Sequence, residues 1–166
     1  SVRGNKPVFG ADCYLADNAT VVGEVTMGDR CTVWFNAVVR GDVHSIVIGN
    51  DTNIQDGAII HCTYKKASTI IGDKVSIAHG AIVHGCTIED NVLVGMGAII
   101  MDDAIIKSGS VIAAGAIVLP GTVVENNSNW AGCPAKKVKD TGEEMLAVIE
   151  RTAKNYPMYS KWYTKK

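Results

Sequence analysis

The sequence predicts an all-β solenoid: a parallel β-helix of hexapeptide repeats followed by one C-terminal α-helix. Three observations lead there. Bulky, mostly aliphatic residues recur every six positions along most of the chain. The position four beyond each is nearly always small. Beyond about residue 140 the apolar spacing changes to a helical one.

The first run of bulky residues is Phe9, Leu15, Val21, Met27, Val33 and Val39. After an interruption come Ile48, Ile54 and Ile60, and after a second come Ile71, Ile77 and Val83. A slip of one residue leads into Ile88, Val94, Ile100, Ile106, Ile112, Val118 and Val124. The small partners include Cys13, Ala19, Cys31, Ala37, Ala58, Ala81, Ala98 and Ala116, and glycine often follows the bulky residue, as at Gly28, Gly49 and Gly72. A period of six is neither that of a helix nor that of an alternating strand. Each hexapeptide reads as a short strand and a turn, and three make one triangular coil with the bulky residue inside. Nineteen such hexads predict about six coils, stacked ~4.8 Å apart as neighbouring strands are.

Residues 1–139 form the expected β-helix domain, and 140–166 a helix and tail packing on it. Pro134 is read as a breaker after the last repeat. Thr141 or Asp140 is the expected helix cap, with Glu143 and Glu144 in the first turn. Met145, Leu146, Ile149, Ala153 and Tyr156 mark one apolar face, and Pro157 is expected to end the helix. The last six residues, KWYTKK, read as a solvated tail.

Composition narrows the function classes. The formal net charge is −1, with no basic stripe interleaved with aromatics, which argues against nucleic acid. No window approaches the ~20 apolar residues of a membrane span. The five cysteines, Cys13, Cys31, Cys62, Cys86 and Cys133, form no CxxC pair, and no signal-peptide pattern precedes them. Reduced thiols and a cytoplasmic location are expected. Cys13 and Cys31, one coil apart in equivalent small slots, should stack as packing residues.

The chain has only four histidines, and three fall between residues 61 and 84. His61 follows Ile60 and His84 follows Val83, so the two hold the same slot one coil apart, with 61–70 protruding as a loop. Side chains stacked at that spacing can share one metal ion at ~2.0–2.1 Å from each nitrogen. His79 follows Ile77 by two and lies on another face. It could reach the equivalent ion of a neighbouring subunit, and a ring of three prisms would create three such sites. Imidazole suits zinc, iron, cobalt or nickel. Three imidazoles without a fourth protein ligand leave a position for water, whose pKa a metal lowers towards ~7, giving a nucleophile for CO2 or an acyl carbonyl. Cys62 and Cys86 lie nearby and read as packing residues rather than thiolate ligands. Surface or interface hydrogen bonding by the histidines is the competing reading.

The segments VVRGDVHSIVIGNDTNIQDGAIIHC, SIAHGAIVHGCTI and VLVGMGAIIMDDAII resemble the gamma-class carbonic anhydrase family, especially its short bacterial carbonic-anhydrase-like members. The likeness runs from about residue 7 to 140. It implies a left-handed β-helix, a homotrimer and three interfacial metal sites, with zinc, or iron or cobalt, on His61, His84 and the His79 of a neighbour. It places Arg40 and Asp42 as an ion pair at the subunit boundary, catalytic or purely structural. It gives Gln55 the metal-bound solvent and Asp56 the interface network. His44 lies outside the ligand set. The archaeal type enzyme carries glutamates thought to shuttle protons where this chain has Val43 and Tyr64, and the loop YKKAS holds no carboxylate. Tyr64 or Tyr159 could substitute.

Reversible CO2 hydration is the leading reading. The second is acyl transfer from coenzyme A, because GCPAKKV resembles the ending common to hexapeptide transferases. A non-catalytic, metal-stabilised trimeric scaffold is the third, with a metal-dependent hydrolase as a related fallback.

Overall fold

In the computed structural model, which describes residues 1–164, the rows of aliphatic residues line the inside of a three-sided prism. Face one stacks Tyr14–Leu15, Thr32–Val33, Asn53–Ile54, Ser76–Ile77, Leu93–Val94, Val111–Ile112 and Ser128–Gly132 in parallel. Face two stacks Ile59–His61, Ile82–His84, Ile99–Ile100 and Ile117–Val118. Face three stacks Thr69–Ile71, Thr87–Ile88, Ile105–Ile106 and Val123–Val124. The long strands Thr20–Met27 and Val38–Ile48 bend through both of these faces and join them into one sheet. The coil is a left-handed parallel β-helix of about seven turns. The hexad count falls one short because Ser128–Gly132 adds a rung beyond the last hexad, pairing Asn129 and Trp130 with Val111 and Ile112.

From Met27 to Val124 the inward residues of all three faces are essentially fully buried. Each isoleucine among them contributes about 1.5–3 kcal/mol by leaving water. The register is the expected one: Ile48 lies beside Ile71, Ile54 beside Ile77, and Ile60 beside Val83. The Cys13 and Cys31 thiols are free and donate to the carbonyls of Gly28 and Gly49 at 3.1 and 2.9 Å. Burial pushes the Cys31 thiol up to about 12, so it stays protonated as a donor.

At the corner from face three to face one, a ladder of side-chain oxygens ties successive coils. Asp29 accepts from the Ala11 amide, Asn50 from Asp29, Asp73 from Asn50 and Asp90 from Asp73, all at 2.7–2.8 Å. A Cβ on Gly49 would stand 2.2 Å from Asp73 Oδ1. The glycine after the bulky residue therefore makes room for the ladder.

Several details beyond Ser128 differ from expectation. Pro134 does not simply lead the chain out: Ser128–Gly132 and Ala135–Asp140 form an antiparallel hairpin around it. The helix runs Glu143–Thr164, and neither Asp140 nor Thr141 caps it. Thr141 donates its hydroxyl to Asn129 at 2.7 Å, Asp140 pairs with Lys137, and the Gly142 carbonyl accepts the first helical bonds.

Nor does Pro157 end the helix. It lies inside, and packing continues past it: Tyr163 stacks near Trp34, Phe35 and Tyr14, and Tyr156 near Trp34, with centroids 5.4–6.1 Å apart. Those contacts offset the one backbone hydrogen bond that proline removes. Ile149 and Ala153 are buried against face one, as the apolar spacing suggested. Of the expected tail, 161–164 is the exposed last turn of the helix, and Lys165 and Lys166 lie outside the described residues. No described helix is long and apolar enough to cross a membrane.

Candidate metal centre

His61 and His84 end adjacent strands of face two in direct register. Ile60 and Val83 point into the prism, so the next side chain on each strand points out. The two rings meet at the corner between faces two and three. His61 Nδ1 lies 3.1 Å from His84 Nε2. Each ring's other nitrogen meets a carboxylate: His61 Nε2 lies 3.0 Å from Asp42 Oδ1, and His84 Nδ1 lies 2.6 Å from Asp102 Oδ1.

The carboxylates are themselves held. Arg40 Nη1 donates to Asp42 Oδ2 at 2.5 Å. Thr63 Oγ1 donates to Asp102 Oδ2 at 2.5 Å, and Lys66 Nζ lies 3.9 Å from the same oxygen. Burial alone would raise both carboxyls. Hydrogen bonds from His61 and Arg40 to Asp42, and from Thr63 and His84 to Asp102, outweigh it and leave both below the usual carboxylate range.

This donor set fits a metal ion. With each ring's N–H directed to its carboxylate, His61 Nδ1 and His84 Nε2 both present lone pairs, facing each other across 3.1 Å. Either a proton on one ring or a cation satisfies them. Two nitrogens bound tetrahedrally at ~2.0–2.1 Å stand about 3.4 Å apart, so a small outward shift accommodates a shared ion. Carboxylates on the far nitrogens are the usual support for metal-ligating imidazoles.

His79 sits elsewhere, at the corner between faces one and two. It stacks one coil beyond Asp56, with Nδ1 3.0 Å from Asp56 Oδ2. Both side chains are more than two-fifths exposed. Among the described residues no three ligand side chains of this one chain form a complete set.

Gln55 is buried, and its amide donates to Asn53 Oδ1 at 2.9 Å, with Asn53 donating on to Ser76. Tyr64 is half exposed in the 62–68 loop, shorter than the 61–70 expected because His61 and Thr69–Ile71 are in strands, and the loop folds back through a Thr63–Ala67 bridge. With Arg3, Asp42 and His44 it lines a groove of about 330 Å³ beside the corner, and Arg3 stacks over its ring at 5.6 Å. His44 accepts from its neighbour's amide, that of Ser45, at 2.8 Å. Cys62 and Cys86 are buried, and burial raises both thiols, Cys86 to about 12, so they act as packing residues.

Sequence reasoning missed Asp102 and Thr63. A signal existed: Ile100 continues the inward row of Ile60 and Val83, so Asp102 falls just beyond the slot that follows the two histidines.

Comparison with known proteins adds family information. Residues 85–120 match the family model "Bacterial transferase hexapeptide (six repeats)". A "Probable carbonic anhydrase" of Methanocaldococcus jannaschii is 51% identical over 142 residues, 86% of this chain and 89% of that protein. "Gamma carbonic anhydrase 2, mitochondrial" of Arabidopsis thaliana is 37% identical over 161 residues, 94% of this chain; the match spans 58% of the plant protein. The crystal structure of a hexapeptide transferase family protein from Anaplasma phagocytophilum superposes with a TM-score of 0.93 at 38% identity, covering 98% of this chain and 95% of that one.

Proposed function

This chain belongs to the gamma-class carbonic anhydrase family, and from that premise we propose that it interconverts CO2 and bicarbonate at metal centres shared between subunits of a homotrimer. His61 and His84 of one subunit bind the ion, and His79 of a neighbour completes the set. Zinc is the first choice, with iron or cobalt suited to the same donors. The observation that carries this reading is the stacked pair, His61 Nδ1 and His84 Nε2 converging at 3.1 Å with a carboxylate behind each ring.

With a divalent ion bound, these residues would hold the chemistry that supplies a nucleophilic water of pKa ~7 for CO2 at neutral pH. The chain's own residues set the geometry. Asp42 holds the proton on His61 Nε2, and Arg40 holds Asp42. Asp56 fixes His79 by its Nδ1, leaving Nε2 for the neighbouring subunit. Gln55 anchors that corner from its buried position through Asn53. Tyr64, at the rim of the groove beside Asp42, offers a phenol for proton relay where the archaeal type enzyme carries a glutamate. The free buried thiols Cys31, Cys62 and Cys86 support a reducing, cytoplasmic setting.

Stopped-flow CO2 hydration tests the reading on protein loaded with zinc, iron or cobalt, against a chelated control. Chelator-sensitive hydration that disappears in His84→Ala and in His79→Ala is the expected result. Activity surviving loss of both histidines would refute it. Metal bound without hydration would point to the scaffold. A second reading, acyl transfer from coenzyme A, is favoured by the transferase designation of the solved relative. Calorimetric titration with coenzyme A separates the two.

A further inference from the structure

We infer that Asp102 is a positioning residue for this metal centre, holding His84 in the Nδ1–H tautomer so that Nε2 is presented for ligation. The inference rests on the reading of His84 as a ligand. Asp102 comes from the coil beyond the histidine pair and reaches back to His84 Nδ1 at 2.6 Å. Its second oxygen is pinned by Thr63 from the loop after His61 and lies within 3.9 Å of Lys66. Three successive coils therefore converge on one carboxylate.

The surroundings are shaped to admit it. A Cβ on Gly85 would stand 2.5 Å from Asp102 Oδ1, so the residue after the ligand must be bare for the carboxylate to enter. Asp102 also mirrors Asp42. One carboxylate backs each ring of the pair, each with its second oxygen engaged by a donor. A neutral imidazole has one N–H, and the hydrogen bond on one nitrogen decides which nitrogen is left to ligate. Without Asp102 the His84 proton is free to move to Nε2, the nitrogen that faces His61. The neighbouring Asp103 does not share this role: it is largely exposed and contacts Lys66 at 3.7 Å.

The test uses the full-length protein in its native assembly. Zinc affinity is measured by competition with a chromophoric chelator for wild type, Asp102→Ala, Asp102→Asn, Thr63→Val and Asp103→Asn. The His84 tautomer is read from imidazole nitrogen shifts in metal-free protein. Wild type should show Nδ1–H. Asp102→Ala should lose about 10–100-fold in zinc affinity and shift His84 towards Nε2–H. Asp102→Asn keeps an acceptor for Nδ1–H and should recover the tautomer and part of the affinity. Thr63→Val should give a smaller loss in the same direction, and Asp103→Asn none. If Asp102→Ala does not fold, Thr63→Val and Asp102→Asn carry the comparison. Unchanged affinity in these variants with zinc bound to wild type would overturn this inference alone, as would an Nε2–H tautomer in wild type. Wild type that binds no metal would overturn the proposed function and this inference together.

Discussion

Replacing Gly85 by alanine should damage the fold and the proposed metal centre together, and the size of the effect follows from two positions in the prism. Gly85 has φ +55° and Gly121 has φ +68°, so an alanine at either adopts the left-handed region, at roughly 1–2 kcal/mol. At Gly121 nothing lies within 4 Å of the new Cβ. At Gly85 it would stand 2.5 Å from Asp102 Oδ1 and 2.9 Å from Ala67 Cβ. Asp102 must swing off His84, which forfeits a charge-assisted hydrogen bond of about 1.5–3 kcal/mol. Gly85→Ala should therefore destabilise by roughly 2.5–5 kcal/mol, and Gly121→Ala by the backbone cost alone. Urea denaturation at one fixed subunit concentration reads the difference as a shift in midpoint at constant slope. Zinc competition should show weakened binding only in Gly85→Ala. Equal midpoints and equal zinc affinity in the two variants would refute the reasoning, because the close approach of Asp102 to Gly85 would then have no energetic content.

Two further outcomes follow. Asp42 and Asp102 have folded carboxyls below their ordinary value of 3.8, so their stabilisation is present above that value and lost as pH falls through the folded pKa values. Urea midpoints of metal-free protein should drop steeply below about pH 4, and less steeply in Asp102→Asn; parallel curves would contradict this. Burial pushes Cys31 and Cys86 up to about 12, whereas Cys133 is exposed. Iodoacetamide at pH 8 should label Cys133 first and reach Cys31 and Cys86 only after unfolding, read by peptide mass spectrometry; early labelling of Cys86 would show the prism opening.

The repeat was legible because its determinants are local and redundant. Each hexad carries its own inward residue, so the Ile48–Ile71 and Ile60–Val83 registers could be read from spacing alone, and with them the His61–His84 stack. The cap at Gly142 and the helix beyond Pro157 were not legible because distant partners decide them. Asn129 takes the Thr141 hydroxyl, and Trp34 and Tyr14 hold Tyr163. Asp102 escaped for the same reason: its partners Thr63 and His84 lie 39 and 18 residues away, and only the stacking of coils brings them to it.

The interruptions in the repeat carry the last step. From Val39 to Ile48, Ile60 to Ile71 and Val83 to Ile88 the spacing departs from six. All three departures fall at one corner, between faces two and three, in consecutive coils. The corner from face three to face one cannot vary this way, because its side-chain ladder and tight glycines lock each coil to the next. Extra residues at the two–three corner leave the prism, and the register resumes on face three, where Ile48, Ile71 and Ile88 stack. The first insertion presents Asp42, held by Arg40, to His61, the second carries Thr63 and Lys66 to Asp102, and the shortened third turn at Gly85 clears the space that Asp102 enters. The rungs thus fix where the two imidazoles stand, while the irregular lengths between them supply the groups that orient those imidazoles. Reactivity in such a solenoid can therefore change through one corner's loops without disturbing the core that holds the two imidazoles in register.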